Sequence, residues 1–308
     1  MIISASRRTD IPCFYSEWFM NRIRAGYVMT RNPMNHSQIF KIPLSPDIVD
    51  CIVFWTKDPE NMLTHLDELD RLGFQYYFQF TITPYGRDIE PSLRPKEEII
   101  DTFINLSKRL GKVGVVWRYD PIILNDIFDI SYHKKQFSRL CDILSGFTKT
   151  VTISFVDIYS KIKNNLIRSI TEDEIAELSA FIGITAKKHG IHAVACCEKI
   201  DLSRYGIEPA SCIDKRRIEA ICGYNLNISK DKNQRPGCGC YESIDIGAYD
   251  TCLNGCIYCY ANNSMGKAKR RFEMHNSKSE ILVGEVYSGE KVFDKKVKSN
   301  KNTQLQLF

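Results

Sequence analysis

Three cysteines, Cys252, Cys256 and Cys259, stand four and three residues apart in the run Thr251-Cys252-Leu253-Asn254-Gly255-Cys256-Ile257-Tyr258-Cys259-Tyr260. Thiolates at this spacing can converge on one cubane iron–sulfur cluster and leave its fourth iron without a protein ligand. A fourth cysteine would instead close the cluster into an electron carrier. A zinc ribbon asks for two Cys-x2-Cys knuckles or a closed Cys/His set. The spacing therefore favours iron and sulfide over zinc at these three positions.

Nine further cysteines bring the total to 12. Cys13, Cys51 and Cys141 are scattered among apolar neighbours and read as core filler. The rest fall between 196 and 259, too dense a group to be chance and, in a reducing compartment, unsuited to disulfides. Cys196, Cys212, Cys238 and Cys240 form the set expected to hold a second [4Fe–4S] cluster. The same thiolates could hold a structural zinc, or stay free. Cys197 and Cys222 read as packing residues. Arg118 and Asp120, in Trp117-Arg118-Tyr119-Asp120-Pro121, could reach ribose hydroxyls or a phosphate, with an internal salt bridge as the alternative; Lys57 and Asp157 are similar. His65, His133, His189 and His192 read as surface or helix-end residues, and none carries metal-site spacing.

These groups need a scaffold, and the hydrophobic pattern supplies one. Apolar, β-rich runs at 1–6, 51–55, 76–83, 113–119, 151–156 and 191–196 alternate with helical periodicity over 59–72, 95–110, 132–145 and 172–189, the last opening on the capping box Thr171-x-x-Glu174. That alternation predicts a parallel α/β sheet or barrel. Each strand hands over to polar residues: Thr9 and Asp10, Thr56-Lys57-Asp58, Thr81, Arg118 and Asp120, and Asp157. In a barrel they would converge on the carboxyl-terminal face, where active sites of this architecture lie. Residues 1–196 are thus expected to form the barrel strands and helices, 197–241 a cysteine-containing loop segment, and 242–271 a last strand with the cysteine motif. Residues 272–308 read as a basic, flexible tail.

Bulk properties set limits. A chain of 308 residues, 44% hydrophobic and 26% charged, can bury a full core. The net charge of +5 is too mild to announce a nucleic-acid binder, although Lys267, Lys269, Arg270 and Arg271 form one basic patch and Lys291, Lys295, Lys296, Lys298 and Lys301 another. No signal peptide or membrane-spanning run is present, and a cytoplasmic location without membrane partners is expected.

The cysteine run, with aromatic Tyr258 before its last cysteine, resembles the radical S-adenosylmethionine (SAM) superfamily. Cys-Ile-Tyr-Cys-Tyr-Ala at 256–261, Trp55-Thr56-Lys57-Asp58-Pro59, Phe80-Thr81-Ile82-Thr83 and Ile89-Glu90-Pro91 are most similar to the branch containing spore photoproduct lyase. The whole chain resembles the uncharacterised bacterial domain of unknown function 1848 family. The resemblance implies a (β/α) partial or full barrel, SAM chelated through its amine and carboxylate at the open iron, and Tyr258 near the adenine. It makes Thr9, Asp10, Thr81, Arg118 and Asp120 candidate cofactor-binding residues. In that superfamily the cysteine motif usually follows the first strand, whereas here it follows the others. A circular permutation reconciles the two, with 242–247 packing beside 1–6. The usual glycine-rich motif for the SAM amine is absent; Ser6-Arg7-Arg8-Thr9-Asp10 stands in its place.

The last residues, Gln304-Leu305-Gln306-Leu307-Phe308, resemble the peptide by which bacterial repair and replication proteins dock on the sliding clamp. The expected function is a radical SAM reaction on DNA, of repair type, fed by a cellular one-electron reductant. The alternatives are radical modification of a peptide, RNA or small metabolite, and a non-enzymatic metal-stabilised adaptor.

Overall fold

The computed structural model describes residues 1–35, 37–158, 167–235 and 237–303. Strand β1 (Ile2–Ala5) is followed by helices α1 (Ile11–Phe14) and α2 (Ser16–Ala25) and by strands β2 (Tyr27–Arg31) and β3 (Gln38–Pro43). Four strand–helix units come next: β4 (Cys51–Thr56) with α3 (Glu60–Leu63) and α4 (Leu66–Arg71), β5 (Tyr76–Thr81) with α5 (Lys96–Leu110), β6 (Val115–Ile122) with α6 (Ile130–Leu144), and β7 (Thr150–Phe155) with α7 (Glu172–Lys188). The chain ends with β8 (His192–Ala195), β9 (Glu208–Pro209), α8 (Lys215–Cys222), β10 (Ile244–Asp245), α9 (Met265–Glu273) and β11 (Lys291–Asp294).

Eight strands form one parallel sheet, ordered β10-β1-β4-β5-β6-β7-β8-β9, and β11, β3 and β2 form a smaller second one. Side-chain alternation explains why both faces of the large sheet are covered. One face carries Ile3, Ile52, Phe54, Phe78, Phe80, Trp117 and Ile153 into the main core with the helices. The other carries Ile2, Cys51, Val53, Tyr77 and Val116, which pack against Ile213, Ile218 and Leu226 from the 212–226 segment. Along β5 and β6 this second face turns polar toward the carboxyl end: Tyr77 gives way to Gln79, and Val116 to Arg118. That change of chemistry on one face is what leaves a polar cavity at one end of the sheet.

β10 lies beside β1 in parallel register, Ile3 opposite Ile244 and Ser4 opposite Asp245, the neighbour expected for the 242–247 run. The strand itself is only two residues long, and the Asp245 side chain reinforces its pairing with β1: it accepts from Ser4 Oγ at 3.0 Å, Ser6 Oγ at 2.6 Å and Arg7 N at 2.9 Å.

Several expectations need correction. The helix over 59–72 is two short helices, interrupted at Thr64 and His65. α1, α2, β2, β3 and α8 were not anticipated; α1 is only four residues long, and in the others apolar residues are interleaved with polar and charged ones too irregularly to show one period. His133 is fully buried, bridging Tyr119 Oη and the Ile123 carbonyl at 2.8 Å each. Nor is the segment from 272 to 303 a loose tail. Ile281 and Leu282 are buried, β11 pairs with β3, and Ser299 and Asn300 bond the buried Asp50 carboxylate, which also holds the Met1 ammonium at 2.6 Å. Lysine-rich composition suggested solvation, but the lysines ride on a backbone anchored by apolar and amide groups. Gln304–Phe308 lie outside the described residues. No helix among the described residues is long and apolar enough to cross a membrane.

Candidate metal centre

The polar ends of the strands converge on one cavity of about 480 Å³. β1 and its following turn contribute Ser6 to Asp10, β4 contributes Trp55 to Lys57, β5 Gln79 and Thr81, β6 Arg118, Asp120 and Pro121, β7 Ser154 to Asp157, and β8 Cys196. The loop after β10 adds Cys252, Asn254, Cys256, Tyr258, Cys259 and Tyr260, and Cys212, Cys238 and Cys240 complete the lining. All thirteen residues singled out from the sequence as cofactor or metal ligands therefore face the same space. Cys197, read as a packing residue, faces it as well, turned there by a left-handed backbone at φ 59°.

The cysteine loop is held from several directions. Asp250 accepts from Lys267 Nζ and Asn263 Nδ2, both at 2.8 Å, so the turn before Cys252 is tied to the start of α9. Asn262 Nδ2 donates to the Cys252 carbonyl at 2.6 Å, and Tyr15 Oη to the Thr251 carbonyl at 2.6 Å. From the β5–α5 connection, Ile89 accepts from Ile257 N and Ser92 donates to the Asn254 carbonyl. Gly255, at φ +71°, permits this approach: a β-carbon there would sit 2.9 Å from Pro91 Cγ. Burial pushes the Cys256 thiol up to about 12 and that of Cys252 well above its ordinary value. Ionising them needs a compensating cation, which a metal supplies while displacing the protons.

Tyr258 is buried, and its hydroxyl donates to Glu90, a carboxylate that also receives Lys57 Nζ at 2.7 Å, Thr83 Oγ1 at 2.8 Å and Lys96 Nζ. Burial alone would raise the Glu90 carboxyl; the two lysines outweigh it and hold it down at about 2. Lys57 lies 5.4 Å over the Tyr258 ring. Glu90 escaped the sequence reading as a site residue. Only its place in Ile89-Glu90-Pro91 signalled it.

Asp10 has little capacity to spare. It caps α1 by accepting from Cys13 N at 3.1 Å, and it also accepts from Lys57 N at 2.8 Å and Asn254 Nδ2 at 3.1 Å. Arg118 is buried and donates to Gln79 Oε1 at 3.2 Å, Asp120 Oδ2 at 3.1 Å and Cys212 Sγ at 3.0 Å, so the internal salt bridge weighed for this pair is present. Asp157 is likewise paired, with Arg235 at 2.5 Å. Two buried polar atoms of the cavity lining, Thr9 Oγ1 and Asn254 Oδ1, have no hydrogen-bond partner among the described residues. Such orphans fit a polar ligand in this space. The soft thiol donors fit an iron–sulfur cluster. Among the described residues, no three His, Cys, Asp or Glu side chains are already closed around a point for a single ion.

An α/β protein whose large parallel sheet opens on a thiol-lined cavity is the class that fold and site define. The chain belongs to the family described as Domain of unknown function (DUF1848), whose signature spans residues 2–261 and so takes in the whole cysteine loop. No curated protein matches the chain. Among solved structures, a Bacteroides thetaiotaomicron VPI-5482 protein described as a "putative alpha-L-fucosidase" aligns at 10% identity over 73% of this chain and 83% of its own, with a TM-score of 0.26. A likeness that slight carries no argument about fold or activity.

Proposed function

We propose that the protein is a radical SAM enzyme built on a circularly permuted (β/α) partial barrel, with Cys252, Cys256 and Cys259 as ligands of its catalytic [4Fe–4S] cluster. The observation that supports this most is the pairing of β10 with β1, which brings a three-cysteine loop to the cavity formed by the strand ends. Held by Cys252, Cys256 and Cys259, such a cluster would supply the electron for reductive cleavage of SAM and so the radical chemistry that begins with hydrogen abstraction from substrate.

The chain's own residues bind and orient. Thr9 Oγ1 and Asn254 Oδ1 are the free buried acceptors for SAM's polar groups. The Tyr258 ring, fixed through Glu90, offers a face for the adenine. Thr81, Arg118 and Asp120 lie where ribose or substrate would contact the strand ends, and Asp10 acts through the backbone it caps.

DNA is the proposed substrate class, in a repair-type reaction. Arg7, Arg8, Lys57, Arg118 and Arg235 line the cavity, and the basic residues of α9 follow directly on the cysteine loop. Gln304–Phe308 is the proposed sliding-clamp anchor, and a cellular one-electron reductant is the remaining partner.

The reaction is tested by reducing the anaerobically reconstituted protein with SAM and following 5′-deoxyadenosine by chromatography. Wild type should release it and Cys256→Ala should not. The substrate is tested by DNA binding across a salt series: phosphate contacts impose a steep linear fall of log K with log[salt]. A flat response would move the same chemistry to a peptide, RNA or small metabolite. Absence of SAM cleavage from a fully loaded protein would leave the adaptor role.

A further inference from the structure

Besides Cys197, four cysteines outside the 252–259 loop, Cys196, Cys212, Cys238 and Cys240, are gathered at the same cavity from distant parts of the chain. β8 delivers Cys196 at its carboxyl end, and two loops bring the others to it. Cys196 Sγ lies 3.4 Å from Cys212 Sγ, and Cys238 and Cys240 belong to the same small packed cluster. All four are free thiols, and Cys212 and Cys240 are each only 3% exposed. Core packing can be met by a single cysteine or any small apolar residue; it does not explain four cysteines gathered in one cluster beside one cavity.

The supporting structure is built for these positions. Tyr77 Oη and Gln79 Nε2, both on the inner face of β5, donate to the Cys212 carbonyl at 2.6 and 2.8 Å. The second loop is joined to the first by Tyr241 N to the Ile213 carbonyl at 3.1 Å and Ser211 Oγ to the Gly239 carbonyl at 2.8 Å. Gly239 makes that contact possible, since a β-carbon there would lie 2.7 Å from both Ala210 O and Ser211 Oγ. Two donors point at sulfur: Arg118 Nη1 reaches Cys212 Sγ at 3.0 Å, and Ile213 N reaches Cys240 Sγ at 3.4 Å. Donors of this kind favour thiolate over thiol, and the buried guanidinium offsets part of the negative charge that four thiolates place on a metal.

We infer that Cys196, Cys212, Cys238 and Cys240 hold a metal centre of their own, a four-thiolate site for zinc or an iron–sulfur cluster, separate from Cys252, Cys256 and Cys259. Both occupants share the same ligand chemistry, soft sulfur donors around a thiophilic metal. Loading draws together sulfurs that already share one cluster, around a site whose backbone is already fastened.

The test uses the full chain carrying Cys252→Ala, Cys256→Ala and Cys259→Ala, which removes the first site. Zinc, iron and sulfide are measured after anaerobic purification, and again after reconstitution with zinc or with ferrous iron and sulfide. The inference predicts about one zinc or about four irons per chain, lost when Cys212→Ser and Cys240→Ser are added. The analysis and an absorption spectrum together say which metal it is. A second readout does not rely on those buried substitutions. Native alkylation with peptide mapping should find the four cysteines protected at least about tenfold in the loaded protein relative to chelator-treated protein, with Cys13 unchanged. No metal after either reconstitution, metal retained by the five-fold variant, or a Cys196–Cys212 disulfide in the native protein would overturn it. A wild type holding iron while the triple variant holds no metal would sink this inference and spare the reading of the 252–259 loop; the converse pattern would do the opposite.

Discussion

At the scale of single residues, the site depends on backbone positions that admit few side chains, and the core on ionisable groups buried away from water. Gly255 combines φ +71° with a β-carbon position 2.9 Å from Pro91 Cγ. Gly255→Ala should therefore cost about 1–3 kcal/mol and lower the iron retained by the neighbouring Cys256, measurable by denaturant midpoint and iron content on the same preparation. Unchanged values for both would mean that the loop does not need this approach to the β5–α5 connection. His133 tests the buried core. Burial brings its imidazole down from 6.5 to about 4, so the folded state favours the neutral ring and the unfolded chain binds more protons between those values. Stability should thus fall as pH drops from about 6.5 towards about 4, by about 3 kcal/mol in full. Gln in its place can still accept from Tyr119 and donate to Ile123. His133→Gln should flatten that part of the curve in urea unfolding at pH 4.5 and 7, and an unchanged slope would assign the acid sensitivity elsewhere.

At the scale of elements, β10 is the shortest strand that matters. Its two residues contribute little as β-structure, and Asp245 holds them through the side-chain and main-chain groups of Ser4, Ser6 and Arg7. Asp245→Ala removes the acceptor and leaves buried donors unpaired. It should destabilise the protein by about 2–4 kcal/mol and release the cysteine loop, seen as lost iron and as faster native-state alkylation of Cys252. Retained iron at wild-type stability would show that the loop is placed without this strand. The parallel units were legible because their periodicity is strong: apolar strands alternating with 15- and 17-residue amphipathic helices. β2, β3 and β11 were not legible, since β2 and β3 are only partly buried, β11 is exposed along its length, and each gains its order from the others. The tertiary contacts of Ile39 and Ile281 leave no local signal.

At the scale of the whole molecule, the cavity was legible and its internal bookkeeping of partners was not. Polar residues after each strand and the clustered cysteines pointed to one end of the sheet. They could not say that Asp10 is occupied as a cap, that Arg118 reaches a sulfur, or that Glu90 gathers two lysines and Tyr258, because those pairings join residues far apart in sequence. The same distance concealed how the segment after α9 is fastened to Asp50 and β3. What the assembled molecule offers is a thiol-lined space with unpartnered polar atoms, and the central claim is that three of those thiols leave one iron open to SAM. The most direct test is the electron paramagnetic resonance spectrum of the dithionite-reduced, reconstituted protein with and without SAM. The account predicts a [4Fe–4S]⁺ signal whose g values shift on adding SAM, and loss of that SAM-sensitive signal in Cys252→Ala/Cys256→Ala/Cys259→Ala. A cluster signal indifferent to SAM, or a SAM-sensitive one that survives the triple substitution, would contradict it.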